Sequence, residues 1–150
     1  MRSLALCVLG LVVLAAAGCG GGGGPKRLSH ADLVTQGNAI CVAASGEIDR
    51  LGDPGTLADI GRIGAKLAAI RDAEATKLAT LVPPKADVST VARLIVALKA
   101  RNETLHDVVK AARAGDQAAA SKALVAGQSL GDTASNAALD LGLDRCAAGG

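Results

Sequence analysis

The chain has 150 residues, no Phe, Tyr or Trp, 32 Ala, and a formal charge of +2 from 16 basic and 14 acidic side chains. Without rings it has neither the stacking platforms that bind single-stranded nucleic acid nor an aromatic cage for a quaternary ammonium, and its interspersed charges leave no footprint for nucleic acid. Such a composition disfavours a β-sandwich or barrel and suits helices, because Ala has the highest helix propensity.

Arg2 precedes an apolar run of 14 residues, Leu4 to Ala17, which ends in small residues. This order reads as a secretory signal peptide over residues 1–18, and the run is shorter than the roughly 20 residues that span a bilayer comfortably. Leu14-Ala15-Ala16-Ala17-Gly18-Cys19 resembles the lipobox of bacterial lipoproteins. The resemblance implies a diacylglyceryl group on the Cys19 thiol and cleavage between Gly18 and Cys19. It also implies an anchor at the extracytoplasmic face of the cell membrane. The family usually has Leu three residues before the Cys, where this chain has Ala16. Ala15-Ala16-Ala17 therefore offers ordinary signal peptidase an alternative site, whose use would release a soluble chain. Residues 19–28 follow as a Gly-rich tether, Gly20 to Gly24 and then Pro25, with a coil reach of about 15–18 Å.

With Cys7 in the signal peptide and Cys19 the lipid site, Cys41 and Cys146 remain. Two thiols in a small exported domain point to a disulfide; the alternative is a pair of free structural thiols. The chain has no CxxC, no haem-attachment motif and no Cys/His zinc spacing.

Four helices are expected between residues 29 and 146. Ser29 is an N-cap with Asp32 at the third helical position. Leu33, Gly37, Ile40, Ala44, Ile48 and Leu51 then repeat at helical spacing. Gly52-Asp53-Pro54-Gly55 stops that helix. Thr56 with Asp59 opens the second, whose apolar side is Leu57, Ile60, Ile63, Gly64, Leu67, Ile70, Leu78 and Leu81. Pro83-Pro84 ends it. Asp87 or Ser89 caps the third, with Val91, Leu94, Ile95, Leu98, Leu105, Val108, Val109 and Ala112 on one face. Gly115 is a left-handed terminator and Asp116 the next cap. The fourth helix runs from Gln117 to Leu141 with an inward face of Ala120, Ala123, Leu124, Gly127, Leu130, Gly131, Ala134, Ala138 and Leu141. Gly127-x-x-x-Gly131 there permits close helix packing. Gly142 ends it, and Leu143 folds back as the apolar residue beyond the cap.

Short turns between four helices predict an all-α, antiparallel up-down four-helix bundle with one disulfide, after the signal peptide and the tether. A tail doubling back along the first helix brings Cys146 to Cys41. Residues 147–150 are read as a flexible tail.

Chemistry is sparse. Glu103-Thr104-Leu105-His106 spells Glu-x-x-His once, but a bundle metal site needs a second copy, and the chain has three Glu. His30 and His106 read as solvated surface residues. No Met follows Met1 to ligate haem, and no nucleophile elbow or phosphate loop is present. The sequence thus implies no metal, no cofactor and no catalytic residue. Arg101 and Asn102 interrupt the apolar stripe of the third helix. A buried polar pair there is a candidate cavity lining; the plainer reading is a stripe edge with snorkelling side chains.

Leu28-Ser29-x-x-Asp32, Asn38-Ala39-Ile40-Cys41, Pro83-Pro84, Ala114-Gly115-Asp116 and Gly142-Leu143-x-x-Cys146 together resemble a group of small, uncharacterised helical exported proteins and lipoproteins of high-GC Gram-positive bacteria. The resemblance implies fold and location and no activity. The expected function is a lipid-anchored, non-enzymatic extracytoplasmic module working through protein–protein contacts or in another envelope-associated role. Its partners are the membrane, through the lipid on Cys19, and an envelope protein, with no nucleic acid. The alternative is a carrier or sensor of a small apolar ligand held in a bundle cavity.

Overall fold

The structure is a computed structural model and describes residues 25–149. Residues 1–18, expected to form a signal peptide, lie outside the described residues, as do Cys19 and the Gly20–Gly24 stretch. The element order is α1 (His30–Asp49), α2 (Leu57–Ala79), a 3-10 turn (Lys85–Asp87), α3 (Val88–Ala114), α4 (Gln117–Asp140) and α5 (Asp144–Ala148). No helix among the described residues is long and apolar enough to cross a membrane.

Local chemistry sets most of the boundaries. The Ser29 side chain accepts from the Asp32 amide, 3.1 Å away, and Asp116 does the same for the Ala119 amide at 2.9 Å. At α2, Thr56 and Asp59 form a reciprocal capping box. The Thr56 hydroxyl and amide both donate to one Asp59 carboxylate oxygen, at 2.7 and 3.1 Å. These bonds, followed by the Arg62 guanidinium, hold the Asp59 carboxyl below its ordinary value. A carboxylate lowered in the folded state stabilises above its unfolded pKa, and that contribution disappears as pH falls through the lowered folded pKa. The carboxyl carbon resonance of Asp59 is therefore expected to titrate below that of an unstructured Asp peptide. Thr56→Ala should move its midpoint back up.

Two helices end on a Schellman pattern. At the end of α3, Gly115 adopts φ +69°, its amide reaches the Ala112 carbonyl and the Asp116 amide reaches that of Ala111. At the end of α4, Gly142 has φ +72°, with bonds from Gly142 to Leu139 and from Leu143 to Ala138. Leu143 then folds into the core with 1% exposure, as the residue beyond a Schellman cap does. The cap expected at the start of α3 is different. Asp87 occupies the position, but its side chain makes no capping bond. A 3-10 turn brings the chain in from Pro84, and the carboxylate pairs with His30 Nδ1 at 2.7 Å instead.

Contacts along the helices fix an antiparallel up-down bundle. Leu28 donates to the Val82 carbonyl beside the end of α2. Gly61 and Gly64 of α2 meet Ala112 and Val109 of α3, whereas Asp72 meets Asn102. On α4, Gly127 and Gly131 meet Thr104 and Arg101 of α3, and Asp140 pairs with Arg93 at 2.6 Å. The most extensive packing is α3 on α4, then α2 on α3, while α1 packs on α2 and α5. The fourth side of the bundle is closed by α5, which contacts both α1 and α4.

Cys41 and Cys146 form the disulfide, their Cα atoms 5.1 Å apart across 105 residues. The returning segment runs along α1 as expected, but coiled: Ala147 and Ala148, read from the sequence as tail, lie in α5. Asn38 holds the start of this segment at two points, donating to the Gly142 carbonyl at 3.3 Å and accepting from the Arg145 amide at 2.9 Å.

The core is built from Leu against Ala. Leu33, Leu78, Leu94, Leu141 and Leu143 surround Ala75, Ala97, Ala134, Ala137 and Ala138. Glycine keeps the helices close where even a methyl group does not fit. A Cβ on Gly64 would run into the Val109 side chain, and one on Gly37 would lie 2.6 Å from Leu143 Cδ2. Gly46, also in α1, has open space around it. Gly46→Ala is expected to stabilise the fold by about 0.5–1 kcal/mol, the helix-propensity difference. Gly64→Ala should destabilise it, because overpacking costs about 1–3 kcal/mol against the same gain. Urea unfolding of both variants checks the opposite signs, and Val109→Ala should relieve the second.

Candidate functional site

On α2 the helical repeat passes through Leu67, Arg71, Glu74 and Leu78; on α3 it passes through Leu98, Arg101, Asn102 and Leu105. Both stripes therefore carry charged or polar residues about midway along. Antiparallel packing sets the two interruptions at one level, where they form a polar layer across the bundle.

Glu74 is 5% exposed and Arg71 14%, and Arg71 Nη1 donates to Glu74 Oε2 at 2.8 Å. The other Arg71 amino group donates to the Gly149 carbonyl just beyond α5. This bond links the buried ion pair to the segment that Cys146 staples to α1. Behind the pair, Asn102 donates to Asp72 Oδ1 at 3.1 Å, and Asp72 Oδ2 pairs with His106 Nε2 at 2.8 Å.

Arg101 differs from its neighbours. Its backbone carbonyl accepts from Thr104, but its guanidinium makes no hydrogen bond or ion pair with any described residue. Burial, and then the neighbouring Arg71 charge, push it below its ordinary value, against the pull of Glu74. It remains cationic, since an arginine does not lose its proton in a protein. Half-buried, it lines a cleft of about 380 Å³ between α2 and α4, floored by α3. Leu67, Leu105, Val108 and Leu124 make most of the apolar part, and Arg71, Arg101, Thr104, Gln128, Asp132 and Ser135 the polar part. Gly127 and Gly131 belong to the α4 wall; the missing side chain of Gly127 leaves room for the Thr104 hydroxyl, while Gly131 lies beside the Arg101 side chain.

The two residues expected to share a cavity are thus divided. Arg101 lines the cleft, whereas Asn102 is 5% exposed and turned to Asp72. Leu124, expected on the inward face, is 49% exposed, because the first turns of α4 pack on α3 with no further helix over them. Arg71 and Glu74 were not singled out from the sequence. The legible signal was the gap they leave in the α2 stripe between Ile70 and Leu78, level with the gap on α3.

A second hollow of about 460 Å³ lies between α3 and the start of α4, lined by Asp107, Lys110, Asp116, Lys122 and alanines. Its two positive and two negative side chains offset one another, so it offers a ligand no net charge. Among the described residues no group of three or more His, Cys, Asp or Glu is placed to hold a metal ion. In comparison with known proteins, the chain matches no family model, no curated protein and no solved structure.

Proposed function

We propose that this chain is a lipid-anchored, non-enzymatic module at the extracytoplasmic face of the cell membrane, which acts by holding a small ligand in its bundle. The observation that carries the ligand reading is the cleft between α2 and α4. Its volume of about 380 Å³ lies in the range of small-molecule sites, roughly 300–1,000 Å³, and it joins an apolar wall to a few polar groups. The lipobox-like Leu14–Cys19 segment and the Gly20–Gly24 run support the anchor. The Cys41–Cys146 bridge suits an oxidising compartment.

Native mass spectrometry of the chain purified from membranes tests the ligand reading. A stoichiometric co-purifying small molecule is the expected result, and a ligand-free chain from every preparation would refute it. Intact mass tests the anchor separately: a chain that begins at Cys19 and carries diacylglycerol supports it, and an unmodified chain that begins at Gly18 refutes it.

A second reading, contact with an envelope protein, is favoured by the apolar side chains left outside on α3 and α4. Val96 is 68% exposed and Val125 66%. Crosslinking on intact cells discriminates, with adducts at these valines supporting the protein partner.

A further inference from the structure

Resting on the reading of the cleft as a ligand site, we propose that its occupant is a single-chain organic anion. Its carboxylate sits on Arg101, and its hydrocarbon lies along Leu67, Leu105 and Leu124.

The polar end of the cleft specifies the sign of the ligand. Arg71 is neutralised by Glu74 and further occupied by the Gly149 carbonyl. The hydroxyls of Thr104 and Ser135 already donate to the Arg101 and Ala147 carbonyls. Of the two lining arginines, Arg101 alone keeps all its guanidinium donors unused by the described protein, and they open onto the cleft, where water reaches them. An incoming anion would replace that water with charge-assisted hydrogen bonds, the stronger kind. A carboxylate matches the planar fork of a guanidinium with two parallel bonds. The only acidic side chain in the lining is Asp132, which is exposed and forms no ion pair within 4 Å of either arginine. It stands at the rim and leaves the Arg101 position open to an incoming anion.

The apolar end specifies the rest. Leu67, Leu105 and Val108 face the cleft, and Leu124 extends that surface outward at the mouth. A short alkyl chain covers it, whereas a small inorganic anion would leave it wet.

The test uses the full chain in phosphatidylcholine vesicles and a diazirine analogue of octanoate, with crosslinks mapped by peptide mass. Expected labelling falls on the facing parts of α3 and α4, from Leu105 to Val108 and from Ala123 to Gly127. Octanoate should compete and octanol should not. Arg101→Gln should raise the octanoate needed for half-competition by about tenfold or more, the usual loss for a charged hydrogen bond, while Arg101→Lys loses less. Ala123→Leu, which fills the apolar end, should abolish labelling with Arg101 intact. The intact disulfide by mass and the helical circular dichroism spectrum verify that each variant is folded. Labelling outside these segments, or labelling indifferent to Arg101→Gln, overturns the proposal. Equal competition by octanol also overturns it, because the cleft then reads hydrocarbon without charge. That last outcome leaves the ligand-binding module standing, and ligand-free native mass spectra remove the module itself.

Discussion

Reduction of the Cys41–Cys146 bridge, or its replacement by Ser at both positions, is expected to destabilise the fold by about 4–5 kcal/mol. The bridge spans 105 residues, and loop-closure entropy of the unfolded chain grows with that span. The native side compounds the loss. Leu143 packs against Gly37, Asn38 grips the start of the returning segment at Gly142 and Arg145, and Gly149 accepts from Arg71. All three depend on the segment that Cys146 pins to α1. A domain of this size has about 5–15 kcal/mol of total stability, so the bridge accounts for a large share of it. Urea unfolding with and without reductant measures the effect. A change below about 1 kcal/mol would mean that α5 holds its place without the covalent link.

The second large effect is expected at Glu74. Its carboxylate is the only negative charge directly paired with Arg71 among the described residues, and Arg101 adds a second guanidinium to the same layer. Removing one member of a buried pair costs about 3–5 kcal/mol, because the remaining charge is stranded. Glu74→Gln should therefore lower stability by about that amount. Arg71→Met combined with Glu74→Leu should lose far less, since a buried pair replaced by apolar side chains is often neutral. Arg101→Met should recover part of the Glu74→Gln loss by removing the second cation. That coupling, measured as a double-mutant cycle, would be absent if Arg101 were fully solvated. The ligand proposal adds a further expectation: an anion on Arg101 should stabilise Glu74→Gln more than the parent chain.

Helix existence was legible wherever the cue was local. Ser29, Thr56 and Asp116 cap as their neighbours indicate, and Gly115 and Gly142 end helices with positive φ. Leu143 turns inward for the same reason, since the cap geometry aims it. Asp87 failed as a cap because a long-range partner, His30, competes for its carboxylate, and nothing within four residues of Asp87 reveals that. The pairing of Cys41 with Cys146 was legible by elimination and compartment. The helical form of the returning segment was not, because α5 is short and depends on its contacts with α1 and α4.

The candidate site shows the same division. The sequence by itself determined that α3 carries Arg101 and Asn102 in an apolar stripe, and that the α2 stripe breaks between Ile70 and Leu78. It determined that α4 is lined by Ala and Gly, and hence that helices approach closely there. Only the tertiary structure decided which of these polar groups satisfy one another. Antiparallel packing sets the two interruptions at one height, so Glu74 neutralises Arg71 and Asp72 takes Asn102, while Arg101 is left facing a cleft. The reason is physical: helical periodicity is a property of successive residues, whereas the satisfaction of a buried charge depends on which helix lies opposite.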